Sequence, residues 1–151
     1  MKRSHRPLDI GQMLQDAFFG YNPLEKTVTF LNTAADVSLF TVTGAVIVKI
    51  IPVCTTDVES AGGATVALGV TGDLDAMISV TDCTLLEADE LWIDQTPTTN
   101  IEPLDSVREY MIAGGKDIIL DVETAKQVDS GVLEFYLWWA PISTNGKVVV
   151  A

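Results

Sequence analysis

The sequence predicts an all-β fold: an antiparallel β-sandwich or jelly-roll-like barrel, with an N-terminal arm containing a short amphipathic helix. Three observations lead there. From Lys26 onward, apolar residues recur with period two rather than 3.6. Turn signals built on Gly, Asn, Asp and Pro fall roughly every 8–12 residues. No helical stretches alternate with the strands, as a parallel α/β fold would need. The expected division is an arm over residues 1–25 and a β-sandwich domain over residues 26–151.

The arm comes first. Lys2, Arg3 and Arg6 precede any acid, so the tip carries +3. The rest of the chain holds six bases against 21 acids, so the net charge of −12 joins a basic tip to a strongly acidic body. A basic tip on an acidic body reads as an arm with its own task. Asp9 is a good helix N-cap, and Gln12 stands three residues later as in a capping box. Ile10, Met13, Leu14, Ala17 and Phe18 then fall on one helical face. Gly20 and Asn22-Pro23 end the segment. A helix of about 11 residues is marginal alone and must pack on something. Asp9, Gln12, Gln15 and Asp16 interrupt any signal-peptide core.

The strands follow. Thr27–Phe30 suggests a first strand, and Val37–Thr43 a second. Gly44 marks a bulge or bend. Ala45–Cys54 is a near-continuous apolar strand ending near Pro52. Ser60–Gly63 is a turn, Ala64–Thr71 a strand, and Ala76–Thr81 another. Leu85–Asp89 suggests a helical turn, Glu90–Gln95 a strand carrying Trp92, and Thr96–Asn100 a loop. Val107–Ala113, Gly114-Gly115 and Asp117–Thr124 read as a β-hairpin. Asp129-Ser130-Gly131 signals a turn. Val132–Trp139 is the strongest β-forming stretch, and Asn145-Gly146 leads to a short terminal strand over Lys147–Val150. That makes about eight to ten strands, the pattern of a sandwich or jelly roll.

Composition narrows the chemistry. An acidic body argues against nucleic acid as a partner. No apolar run reaches the ~18 residues of a membrane span. The single histidine, His5, lies in the basic tip, and no G-x-S-x-G, P-loop or dinucleotide fingerprint is present. The usual pairings of nucleophile and general base are missing, so no catalytic residue, cofactor or metal is assigned, and an enzyme is not expected. The acids of the 73–75 and 87–90 turns read as solvated loops, with a calcium site as the alternative. Cys54 and Cys83 read as buried thiols, with a disulfide left open. The adjacent Trp138 and Trp139 must point to opposite faces of their strand. One belongs to the core, and Trp138 is placed at a subunit interface, with a rim of the core and a ligand platform as the alternatives.

Several stretches carry a resemblance: Leu39–Gly44, Val53–Asp57, Asp117–Leu120, Gly131–Tyr136 and Trp139–Pro141. Over about residues 37–143 the chain resembles small β-rich structural proteins of tailed bacteriophages and prophages. Within that group it is most similar to capsid decoration, or cement, proteins. The resemblance implies a homotrimer on the outer capsid surface, assembled in the host cytoplasm and gripping the major capsid protein with N-terminal arms. The residues that fit such docking are Lys2, Arg3, Arg6, Ile10, Met13, Leu14, Phe18 and Trp138. Burying the four apolar arm residues contributes about 6–12 kcal/mol gross. Association costs about 4–15 kcal/mol, so one arm holds weakly and three linked arms hold well. Two alternatives stand beside this expectation: a head–tail joining or tail-tip structural protein, and a carbohydrate- or calcium-binding β-sandwich module.

Overall fold

The computed structural model describes residues 22–151. The basic tip and the expected helix, with Lys2, Arg3, Arg6, Ile10, Met13, Leu14 and Phe18, lie outside the described residues. Within them the chain forms nine strands: β1 (Leu24–Thr33), β2 (Val37–Thr43), β3 (Val46–Glu59), β4 (Thr65–Val70), β5 (Asp73–Asp82), β6 (Tyr110–Ile112), β7 (Ile118–Val122), β8 (Val128–Pro141) and β9 (Lys147–Val150). Two 3-10 turns, Cys83–Leu85 and Leu104–Ser106, complete the elements. Asp82 caps the first of them through its carboxylate to the Thr84 N–H at 3.0 Å.

The strands build two antiparallel sheets, β1-β8-β3-β6 and β5-β4-β7-β2-β9. The order has a simple logic. β1 pairs with β8, β2 with β7, β3 with β6 and β4 with β5. The chain is thus one long antiparallel ribbon folded at the β4–β5 turn, with successive pairs sent alternately to the two sheets. That is the winding of a jelly roll, with β9 added beside β2. The fold class read from the sequence is therefore an all-β sandwich of two antiparallel sheets.

The inward faces interdigitate into one core. Val28 and Phe30 of β1 meet Leu133, Phe135 and Leu137 of β8 and Val46, Val48 and Ile50 of β3. The second sheet supplies Phe40, Val42, Val66, Leu68, Ile118, Leu120 and Val122. Trp92 is the largest fully buried side chain, and its indole N–H donates to the Thr81 hydroxyl at 3.1 Å. Cys54 and Cys83 are both buried and free. Burial is the main cause that pushes each thiol up to about 11.

Three local readings need correction. Val107–Ala113 and Asp117–Thr124 do not form a hairpin. β6 pairs with β3 in the first sheet, whereas β7 lies between β4 and β2 in the second. Gly114 and Gly115, at φ +76° and +64°, carry the chain across the corner. There the Gly115 N–H donates to the Gly44 carbonyl. A glycine pair looks the same in sequence whether it closes a hairpin or turns a jelly-roll corner.

The expected strand over Glu90–Gln95 is reduced to bridges at Leu91, to Val53 and to Thr98. β6 occupies only the first part of the free edge of β3, at Val46–Val48. The 86–92 segment then satisfies the rest: Trp92 N–H donates to Pro52 O, Cys54 N–H to Glu90 O and Val58 N–H to Leu86 O.

Gly131 does not end a strand but sits inside β8. Its φ is +122°, and a Cβ there would lie 2.7 Å from Val58 Cα and 2.8 Å from Asp57 O. Only glycine lets β8 cross the irregular stretch of β3 after Cys54.

Candidate assembly surface

The outer faces of the two sheets differ in chemistry. Strand alternation assigns the outward residues. In the first sheet, β3 and β8 present Ile47, Ile51, Val53, Val132, Glu134, Tyr136, Trp138 and Ala140 on the side away from the core. Their inward neighbours are the core residues of the same strands. Register stacks them into rows: Met111–Ile47–Ala140, Lys49–Trp138, then Ile51–Tyr136–Glu25. Trp138 is half-buried on this face, while Trp139, its neighbour, packs against the core. Met111, on the short β6, is 83% exposed. Leu31, 78% exposed, ends the face at the far end of β1.

Lys49 sits in the middle of this face and is nevertheless buried. The 3-10 turn at Leu104–Ser106 folds over it. The Lys49 ammonium donates to the Leu104 carbonyl at 2.7 Å and lies 3.6 Å from a Glu109 carboxylate oxygen. In the sequence Lys49 only interrupts an apolar run. Its packing depends on a segment 55 residues away, so no local pattern reveals it. On the same face the Tyr136 hydroxyl donates to the Glu134 carboxylate, and that bond raises the Tyr136 pKa above its ordinary value.

The second sheet presents a mixed back, in which polar groups stand beside the outward Ile119 and the exposed Val149. Thr41 and Thr43 of β2 pair with Val149 and Lys147 of β9. Ala67 and Gly69 of β4 pair with Asp121 and Ile119 of β7. Asp121 belongs to an acidic group. Partial burial, a hydrogen bond with Asp36 and the charges of Asp36 and Asp75 raise its carboxyl above the usual range.

The acids of the 57–94 loops do not converge on a common point. Asp57 accepts the Ala88 N–H at 2.7 Å, Glu90 the Glu87 N–H at 2.9 Å and Asp94 the Thr96 N–H at 2.7 Å. Among the described residues, no three acids, cysteines or histidines are grouped to hold a metal ion. These carboxylates accept loop N–H groups that would otherwise lack partners.

A cleft of about 540 Å³ opens between β5 and the 92–110 segment, bordered by Asp75, Asp94, Gln95, Arg108 and Tyr110. Trp92 backs it but is fully buried, so its indole offers no open stacking face.

No protein-family model matches the chain, and no curated protein matches it. Among solved structures, it matches a chain of the acidic stable capsid structure of Helicobacter pylori bacteriophage KHP30. The match has a TM-score of 0.41 and 13% identity, and covers 87% of this chain and 95% of that one. A superposition that loose carries no function across.

Proposed function

We propose that this chain is a bacteriophage virion structural protein, a capsid decoration protein that binds the major capsid protein and stabilises the head. The observation that carries the reading is the apolar outer face of the first sheet. Ile47, Ile51, Val53 and Trp138 are partly exposed there, and Met111 and Leu31 are 83% and 78% exposed, more apolar surface than a sandwich alone in water needs. A protein that lives in an assembly uses it. The jelly-roll winding is one that capsid domains use, along with lectins and cupins. The segment resemblance chooses among those uses, since fold alone does not imply function.

In this reading the first-sheet face and residues 1–20 make the contacts to capsid and neighbouring copies, three copies forming one unit. The acidic second face looks outward and keeps the particle soluble. The reading assigns no catalysis to the chain. It places the protein on the outer surface of the head, assembled in the host cytoplasm.

Cosedimentation of the purified chain with heads lacking it is the test. Saturable binding that is lost on deletion of residues 1–20, with the Tm of the β-domain unchanged, supports the reading. Full binding by the truncated chain contradicts the docking role of the arm. A hexamer or dodecamer by native mass measurement, in place of a trimer, favours a head–tail ring.

A further inference from the structure

We propose that Asn145 is a site of spontaneous covalent modification, cyclisation onto the Gly146 nitrogen with loss of the side-chain amide, and that Ser143 gates it. Asn145-Gly146 is the single Asn-Gly pair of the chain. It lies in the turn between β8 and β9, and Asn145 is exposed there. An asparagine before glycine is the most reactive kind, because glycine has no side chain to shield the attacking nitrogen.

The fold itself calls for this pair. The Ser143 carbonyl accepts the Gly146 N–H at 3.0 Å, which closes a turn with Thr144 and Asn145 at its centre. Glycine ends that turn for a packing reason: a Cβ on Gly146 would lie 2.4 Å from the Ala45 carbonyl oxygen. Asparagine is fixed at 145 by a second contact. The Ser143 hydroxyl accepts the Ala45 N–H at 2.9 Å and donates to Asn145 Oδ1 at 2.7 Å. The Asn145 carboxamide fills the space that a side chain on Gly44 would take, since a Cβ there would lie 2.5 Å from Asn145 Oδ1. Two corners, Gly44-Ala45 and Ser143–Gly146, are thus pinned together, and the reactive groups are among the pins.

The chemistry needs only base and water. A base removes the Gly146 N–H proton, and the nitrogen attacks Asn145 Cγ. An N–Cγ bond forms, the Cγ–Nδ2 bond breaks, and Nδ2 takes up a proton and leaves as ammonia. Water then opens the cyclic imide at either carbonyl. One opening leaves aspartate, and the other leaves isoaspartate, with the backbone routed through the former side chain. In the closed turn Ser143 O holds the Gly146 N–H and Ser143 Oγ holds the carboxamide, so attack waits for local opening. The two products differ in consequence. Aspartate keeps an acceptor for the Ser143 hydroxyl. Isoaspartate lengthens the main chain just ahead of Lys147, which pairs with Thr43, and so loosens β9 at its start. This chemistry belongs to the free chain and does not depend on a capsid role.

Peptide mapping by mass spectrometry tests it on the full-length chain, incubated at mildly alkaline pH in buffer and in guanidinium chloride. Conversion of Asn145 should be roughly ten-fold slower in the native fold than in denaturant. Ser143→Ala should raise the native rate at least three-fold and leave the denatured rate unchanged. Equal rates in the two solvents, no conversion in denaturant, or a native rate indifferent to Ser143→Ala overturns the proposal. Should Ser143→Ala unfold the chain, as shown by labelling of the buried Cys54 and Cys83, hydrogen exchange of the unaltered protein decides. Its Gly146 N–H should be protected roughly ten-fold or more. An unprotected amide overturns the proposal.

Discussion

The two sheets of this molecule share a core and differ on their backs. The first sheet turns Ile47, Ile51, Val53 and Trp138 outward, and the second turns out Thr41, Thr43, Lys147 and Asp121 beside Ile119 and Val149. Inward, both are apolar, as any sandwich requires. Folding explains the inward faces and leaves the outward difference unexplained. Under the proposed function, that difference assigns one back to contact and the other to water, and it separates positions that keep the jelly roll wound from positions proposed to let it assemble.

Glycine substitutions break the comparison most strongly. Gly131→Ala puts a Cβ against the Val58 backbone at φ +122°. It should cost about 2–4 kcal/mol through clash and strain. Gly114→Ala, at φ +76° with open space around it, should cost only about 1 kcal/mol. Denaturant melts of both variants check this. Equal losses would mean that β8 does not need its close crossing over β3.

The arm gives a smaller effect. Replacing Lys2, Arg3 and Arg6 with Ala should weaken capsid binding about ten-fold at low salt, with the gap closing as salt screens the charges. A salt-independent loss would assign those residues to shape rather than charge.

The smallest effect concerns the acidic back. The Asp121 carboxyl is raised in the fold, so the stability it lends is fully present below its unfolded pKa of about 3.9 and is lost as pH rises through the folded value. Asp121→Asn should therefore raise Tm slightly at pH 7 and leave it unchanged near pH 3. A fall in Tm at pH 7 would mean that the charged carboxylate is favoured there.

Much of the sandwich is legible in the sequence because burial writes period two into every long strand. Val132–Trp139 alternates cleanly, and β8 follows it. The opposed directions of Trp138 and Trp139 follow from adjacency alone. The jelly-roll winding is not legible at Gly114-Gly115, because a corner and a hairpin demand the same left-handed glycines. Nor is the fate of Glu90–Gln95, which depends on how much of the β3 edge β6 leaves free. The candidate surface was half visible. Trp138 stands out by its type and neighbour, whereas Ile47, Ile51 and Val53 join it only once register places them in adjacent rows. The burial of Lys49 under Leu104 lies beyond any local pattern.

A matched pair of substitutions puts the central claim to its most direct test. Ile47→Asp places a charge on the first-sheet back, and Thr41→Asp places one on the second. Capsid binding is measured for both by cosedimentation, with Tm as the check on folding. The account predicts at least a hundred-fold loss of binding for Ile47→Asp and none for Thr41→Asp, with both chains folded. Equal binding by the two variants, or loss only with Thr41→Asp, would contradict the assignment of the apolar face to assembly.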